Sequence, residues 1–246
     1  MRWLNWIVVL LLTGAMKTAV ASSFPAYTAT YEAQVFGNTL VAQSTLSHEG
    51  GNTRMSLDAH LSGFMRILGR FEFNRESTFS THDGYPRLVQ TRSAQITPRR
   101  ERRVETRFDW ATNRAQGHIS KKAFDLEVPR DTLDFLSSLY LTMQGLRTGS
   151  FDRTIAVKIL ERDRLREYSL LLQGTENVST VLGPMRALRV VRKDDDSGVE
   201  LTGWFAPTLN YLPVRLDYEA DGNILQLELT HVEWHQPRAG NNAGRR

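Results

Sequence analysis

One short run in this chain carries imidazole and carboxylate side chains together: His231-Val232-Glu233-Trp234-His235. At strand spacing His231, Glu233 and His235 share a face, and two nitrogen donors with one oxygen donor make a ligand set for a transition metal, as in a metal-dependent hydrolase. Parity decides whether that face is wet. In an uninterrupted strand Leu225, Leu227 and Leu229 share it, so the histidines would point inward. A bulge near Thr230 would turn Val232 and Trp234 inward instead and leave the histidines in water. Both readings are open at this level, and a lone three-residue cluster is thin support for a metal.

The second candidate is electrostatic. Pro98-Arg99-Arg100-Glu101-Arg102-Arg103 is strongly basic, and Arg107 extends it. From Arg87 to Lys122 ten Lys or Arg stand against Glu101, Glu105 and Asp109. Such a stretch suits a polyanion, such as an anionic envelope glycolipid, or an acidic partner. The competing reading is a solvated hairpin end whose charges deter edge-to-edge aggregation. The formal net charge of +4 is itself modest, and Arg2 and Lys17 belong to a leader that export would remove.

Third, Gly63-Phe64-Met65-Arg66-Ile67-Leu68-Gly69 places four apolar residues between glycines. It reads either as a flap over a hydrophobic cavity or as a plug closing one end of a barrel. Asp194-Asp195-Asp196-Ser197-Gly198 lacks the ligand spacing and closing Glu of a calcium loop and reads as a hairpin turn. Nucleophile-elbow, phosphate-loop and His-Glu-x-x-His patterns are absent, so no cofactor and no catalytic residue are expected. There is no cysteine, which excludes thiol catalysis, thiolate metal sites and disulfides.

The elements that must position these residues are strands. Tyr27, Ala29, Tyr31, Ala33 and Val35 alternate with polar residues, as do Met55 to Leu61, Val104 to Trp110 and Val214 to Tyr218. Alternation of period two puts one face in a core and one in water, the mark of antiparallel sheet. Turn residues such as Gly37-Asn38, Gly50-Gly51-Asn52 and Asp221-Gly222-Asn223 separate the runs. About a dozen strands are expected, enough for a large barrel or half-barrel. The fold class is therefore all-β, mainly antiparallel, with one packed α-helix around 131–146. Asp131 is placed to cap that helix and Gly145 to end it, and Phe135, Leu136, Leu139, Tyr140 and Met143 form its apolar stripe. A cavity between helix and sheet would be lined by Phe64, Met65, Ile67, Leu68, Leu136, Tyr140 and Met143.

Arg2, the apolar run Trp3 to Leu12 and the small residues Ala19-Val20-Ala21 predict an export signal cleaved after Ala21. The run is about ten residues, whereas a membrane-spanning helix needs roughly 20. Residues 22–236 then form one β-rich domain, and 237–246 a polar tail expected to be disordered. An exported chain is not expected to meet nucleic acid.

Several stretches in order carry a family resemblance: Tyr27-Thr28-Ala29-Thr30-Tyr31-Glu32-Ala33, Asp131 to Tyr140, Thr180-Val181-Leu182-Gly183-Pro184-Met185, Trp204-Phe205-Ala206-Pro207, Tyr211-Leu212-Pro213-Val214-Arg215 and Asp221-Gly222. Together they resemble the exported bacterial family called domain of unknown function 3108. The resemblance implies a periplasmic location in a Gram-negative bacterium and an all-β domain with an embedded helix, and it brings no catalytic residues. The plan is also similar to half-barrel lipoprotein carriers of the periplasm, which is fold-level analogy. Three functions follow in order of expectation: a non-enzymatic periplasmic carrier of a lipophilic or acyl-bearing ligand, an envelope protein gripping anionic glycolipid through residues 99–107, and a metal-dependent hydrolase at His231, Glu233 and His235.

Overall fold

The computed structural model describes residues 24–35, 37–62, 71–82, 84–193, 200–220 and 222–235. Among them, fifteen strands form one sheet built as two meanders. The first runs β1 (Ala26–Val35), β2 (Asn38–Glu49), β3 (Asn52–Leu61), β4 (Glu72–His82), β5 (Tyr85–Thr97), β6 (Arg100–Asp109), β7 (Arg114–Ile119) and β8 (Lys122–Glu127). The second holds β9 (Thr132–Leu133), β10 (Thr154–Glu161), β11 (Arg164–Thr180), β12 (Gly183–Lys193), β13 (Glu200–Ala206), β14 (Leu212–Ala220) and β15 (Asn223–His235). The one α-helix among the described residues, α1 (Phe135–Thr148), lies between β9 and β10 in the chain. Antiparallel pairing of β1 with β15 joins the meanders, and β8 and β9 are the two outer edges. The sheet therefore ends where the chain crosses from one meander to the other. Across that seam Leu160 of β10 packs with Ala115 and Val128, and Lys122 reaches Asp163 at 4.0 Å. Side chains bridge the two edges in place of a hydrogen-bond ladder.

The alternating runs fold as their parity requires. Tyr27, Ala29, Tyr31 and Ala33 are buried and their β1 neighbours face outward. Met55, Val104 and Val214 point inward likewise, while Tyr218 at the far end of β14 is exposed. Bulges reset this parity at four places. One leaves Thr230 unpaired, since Thr30 opposes His231 and Tyr31 opposes Leu229. A second, beside Thr78 and Phe79, sets Val89 into solvent.

The helix differs from expectation at both ends. Asp134, not Asp131, is the N-cap: its carboxylate accepts from Ser137 N at 2.9 Å, and Ser137 Oγ accepts from the Asp134 N–H at 2.9 Å. Ser77 Oγ of β4 also donates to the Asp134 carboxylate. Thr132 and Leu133 pair with Lys158 and Ile159 of β10, so the backbone stays extended for one turn longer than Asp131 would allow. Asp131 instead binds Lys158 Nζ at 3.1 Å, and its carbonyl accepts from the Tyr85 hydroxyl at 2.9 Å. At the other end Gly149 takes the left-handed conformation that closes the helix (φ 73°), and Gly145 sits inside it. Phe151 explains the latter glycine, since a Cβ there would lie 3.3 Å from the Phe151 Cβ.

The predicted export signal, the Phe64–Leu68 segment, the Asp194–Gly198 turn and the 237–246 tail lie outside the described residues. No helix among those described is long and apolar enough to cross a membrane.

Candidate functional site

The single apolar stripe expected on α1 is in fact two. Leu136, Tyr140 and Met143 form one, and all three are essentially inaccessible, at 0, 1 and 0 % exposure. Tyr140 meets Phe79 edge-on at a centroid distance of 4.9 Å and Phe24 at 6.3 Å, and Phe24 meets Tyr27 at 6.0 Å. The helix packs on β3, β4 and β5 and on β10 of the second meander. The expectation that Leu136, Tyr140 and Met143 line an open cavity is corrected: they are packed core.

The other stripe is Phe135, Ser138, Leu139 and Thr142, at helical spacing i, i+3, i+4 and i+7. It faces a narrow cleft whose far wall is β11 to β14, through Leu170, Val190, Leu201, Phe205 and Leu216. Phe135, Leu139, Leu201 and Leu216 are only half-buried. The cleft holds about 40 Å³, against a water's share of roughly 30 Å³ in the liquid. Gly203 lies in its floor because the Phe205 ring folds over it: a Cβ at Gly203 would stand 2.7 Å from that ring. The hydroxyls turn away from the cleft, Ser138 Oγ to Phe135 O at 2.8 Å and Thr142 Oγ1 to Ser138 O at 2.9 Å. Its wall is thus apolar in practice.

Two arginines flank this cleft. Arg192 of β12 lines it and lies over the Tyr168 ring at 4.5 Å. Arg75 of β4 lies over the Phe135 ring at 5.1 Å and the Phe73 ring at 4.9 Å. The Nε of each is sealed from solvent with no hydrogen-bond partner, and neither guanidinium forms an ion pair among the described residues. Burial lowers the affinity of Arg75 for its proton, Asp134 and Glu161 oppose that, and Arg192 and Arg162 reinforce it. The nearest carboxylates serve other donors. Asp134 caps α1, while Glu161 accepts from the Tyr168 hydroxyl at 2.8 Å and faces Arg166 at 3.8 Å. Sequence reasoning missed both arginines. The available signal was a charge at an inward parity, Arg75 between Phe73 and Ser77, and Arg192 following Leu188 and Val190.

A larger hollow, about 570 Å³, lies on the outer face of β2 to β6 and is polar. Arg54, Asp58, Asn74, Arg75, Glu76, Arg92 and Glu105 contribute to it. Several of these groups are matched internally: Glu76 takes both Arg54 and Arg92, the latter at 3.6 Å, and Asn74 donates to Asp58 at 2.7 Å. The sheet also divides the basic stretch. Arg99 is in the β5–β6 turn, and Arg100 and Arg102 share the parity of buried Val104. Arg103 and Arg107 are on the outer face with Glu101 and Glu105. Arg103 is held by Glu101 at 2.6 Å, while on the other face Arg102 is near both Arg100 and Arg162, which repel it. The stretch does not form one cationic patch.

His231, Glu233 and His235 are exposed on the outer face, because the Thr230 bulge turns Val232 and Trp234 inward. His235 Nε2 lies 2.8 Å from Thr28 Oγ1, and its Nδ1 is 4.0 Å from Glu233. Among the described residues no group of three His, Asp or Glu converges as a metal site.

Comparison with known proteins agrees with this architecture. A solved structure described as a β-barrel-like protein of domain of unknown function DUF1849, from Brucella abortus, aligns with a TM-score of 0.56 at 11 % identity. The alignment covers 88 % of this chain and all of that one, a likeness of fold alone. No curated protein matches the chain. The profile of the family described as "Protein of unknown function (DUF3108)" matches residues 26–230, from the first residue of β1 to the bulge in β15. The chain, an antiparallel sheet wrapped on one helix, belongs to the DUF3108 family.

Proposed function

We propose that this protein is a non-enzymatic carrier of a lipophilic, acyl-bearing molecule, exported to the periplasm and freed of its leader after Ala21. The observation that carries the reading is the asymmetry of α1. The helix is anchored on β3 to β5 and on β10, while its Phe135/Leu139 flank faces β11 to β14 across a cleft walled by half-exposed apolar side chains. Leaving such surface partly wet forfeits roughly 25 cal/mol for each Å2 not buried, a cost that a bound chain recovers. At about 40 Å³ the cleft takes a water or two, so an acyl chain enters by widening it. Widening breaks side-chain contacts only, because no backbone ladder joins α1 to β11–β14. The site takes its specificity from shape and charge, since nothing in it is arranged as a nucleophile with a base.

Extraction and mass spectrometry of protein purified natively from the periplasm test the reading. A co-purifying single-chain amphiphile is expected, on a polypeptide whose first residue is Ser22. Recovery of ligand-free protein that also fails to bind added lipophile contradicts the carrier, and a chain retaining Met1 contradicts the export.

A further inference from the structure

We infer that Arg75 and Arg192 form an anion seat at the Phe135 end of the cleft, and that the ligand is a single-chain amphiphile with a carboxylate or phosphate-monoester head. The chain part of this inference rests on the carrier reading above, whereas the seat itself does not.

Charge placement is the argument. A guanidinium whose Nε is sealed from solvent without a hydrogen-bond partner is costly, because desolvation is incurred and no bond to that N–H offsets it. One such group is an oddity, but here two approach from opposite meanders, Arg75 of β4 over the Phe135 ring that lines the cleft and Arg192 of β12 lining the cleft itself. Each repels the other, and the exposed Arg162 adds to the repulsion. Asp134 and Glu161 are near enough to moderate this field but are held by the helix cap and by Tyr168. The aromatic faces of Phe73, Phe135 and Tyr168 hold the guanidinium planes in place. What remains is an unused Nε–H on each arginine, with excess positive charge beside an apolar wall. A planar fork of donors fits the two oxygens of a carboxylate or a phosphate monoester, and the charge-assisted bond is strong where water is excluded. In the outer basin, by contrast, Arg54 and Arg92 are already matched by Glu76.

The test compares ligands of equal chain length on the full mature protein: decanoate, decyl phosphate and decanol, with inorganic phosphate as the free-ion arm. Wild type should bind decanoate and decyl phosphate about tenfold or more tightly than decanol, the gain expected of a charge-assisted pair. In the Arg75→Gln/Arg192→Gln double variant that preference should vanish while decanol affinity stays within about twofold. Should the double variant fail to fold, Arg192→Lys serves: it keeps the charge but not the fork, and should reduce the preference without abolishing it. Equal binding of decanoate and decanol by wild type overturns the seat, as does a preference that survives both arginine changes. If no ten-carbon ligand binds but inorganic phosphate raises the melting temperature of wild type and not of the double variant, the seat stands as a free-anion site and the carrier reading falls. No response to any of the four removes both.

Discussion

Helix α1 touches the same sheet twice, with different results. On the flank facing β3 to β5, Leu136, Tyr140 and Met143 fill every space against Phe24, Tyr27 and Phe79. On the flank facing β11 to β14, Phe135 and Leu139 stop short of the opposite wall, and two arginines stand there, each with a buried Nε that has no hydrogen-bond partner among the described residues. Both flanks are apolar and both belong to one helix, so helix propensity does not account for the difference. Anchoring does. The Asp134 cap is tied to β4 through Ser77, which pulls the first flank tight; the backbone tie to the second meander runs from β9 to β10 and does not reach β11 to β14. A sheet assembled from two meanders can close around a helix on one side and leave a slot on the other.

The largest effect should come from emptying the closed flank. Leu136→Ala is expected to cost about 2–5 kcal/mol, as for other buried leucines, whereas Leu139→Ala on the open flank should cost under about 1 kcal/mol. Urea unfolding of the two variants measures the contrast, and equal losses would erase the distinction between flanks. Next in size is the cap. Asp134→Ala removes a capping box and the link to Ser77 and should cost about 0.5–2 kcal/mol, while Asp131→Ala should stay within the range of an exposed ion pair, up to about 1 kcal/mol.

Alkali should act on the closed side first. Burial, reinforced by Asp131, pushes the Tyr85 phenol up to about 12, and burial alone is the leading cause raising Tyr27 and Tyr31. A folded value above the unfolded value of about 10 means the contribution is whole below pH 10 and is lost as pH rises through 12. Melting temperature should hold level between pH 7 and 9 and fall beyond about pH 10, with a shallower fall in Tyr85→Phe. The smallest effect is expected at the outer histidines: the His231→Ala/His235→Ala double variant should change stability by no more than about 0.5 kcal/mol, and zinc should not raise the melting temperature. A zinc-dependent shift absent from that variant would restore the metal reading.

Parity made the strands legible in the sequence: the Tyr27–Ala33 alternation gave the inner face of β1 directly, and the Thr230 bulge was one of two stated options for the histidines. The helix was legible as an element but not in its ends. Asp131 and Asp134 both precede the apolar run, and only the pairing of Thr132 and Leu133 with β10, a non-local contact, chooses between them. Its two stripes merge in sequence because Phe135 and Leu136, like Leu139 and Tyr140, are adjacent, and 100° per residue separates them only once the surrounding strands are placed. The arginine pair depends wholly on topology, since β4 and β12 meet around α1 and nothing local joins Arg75 to Arg192. The basic stretch failed as a patch for the same reason its neighbours succeeded as a strand: alternation sends successive residues to opposite faces.

A titration with a neutral lipophilic dye, paired with thermal melting, of wild type, Leu139→Trp and Met143→Trp tests the open flank most directly. Leu139→Trp should fill the slot and abolish dye binding with the melting temperature nearly unchanged. Met143→Trp should overpack the closed flank, losing about 1–3 kcal/mol while the folded fraction still binds dye. If wild type binds no dye, or if Leu139→Trp destabilises as much as Met143→Trp and leaves binding intact, α1 is core on both sides and the protein is not a carrier by this helix.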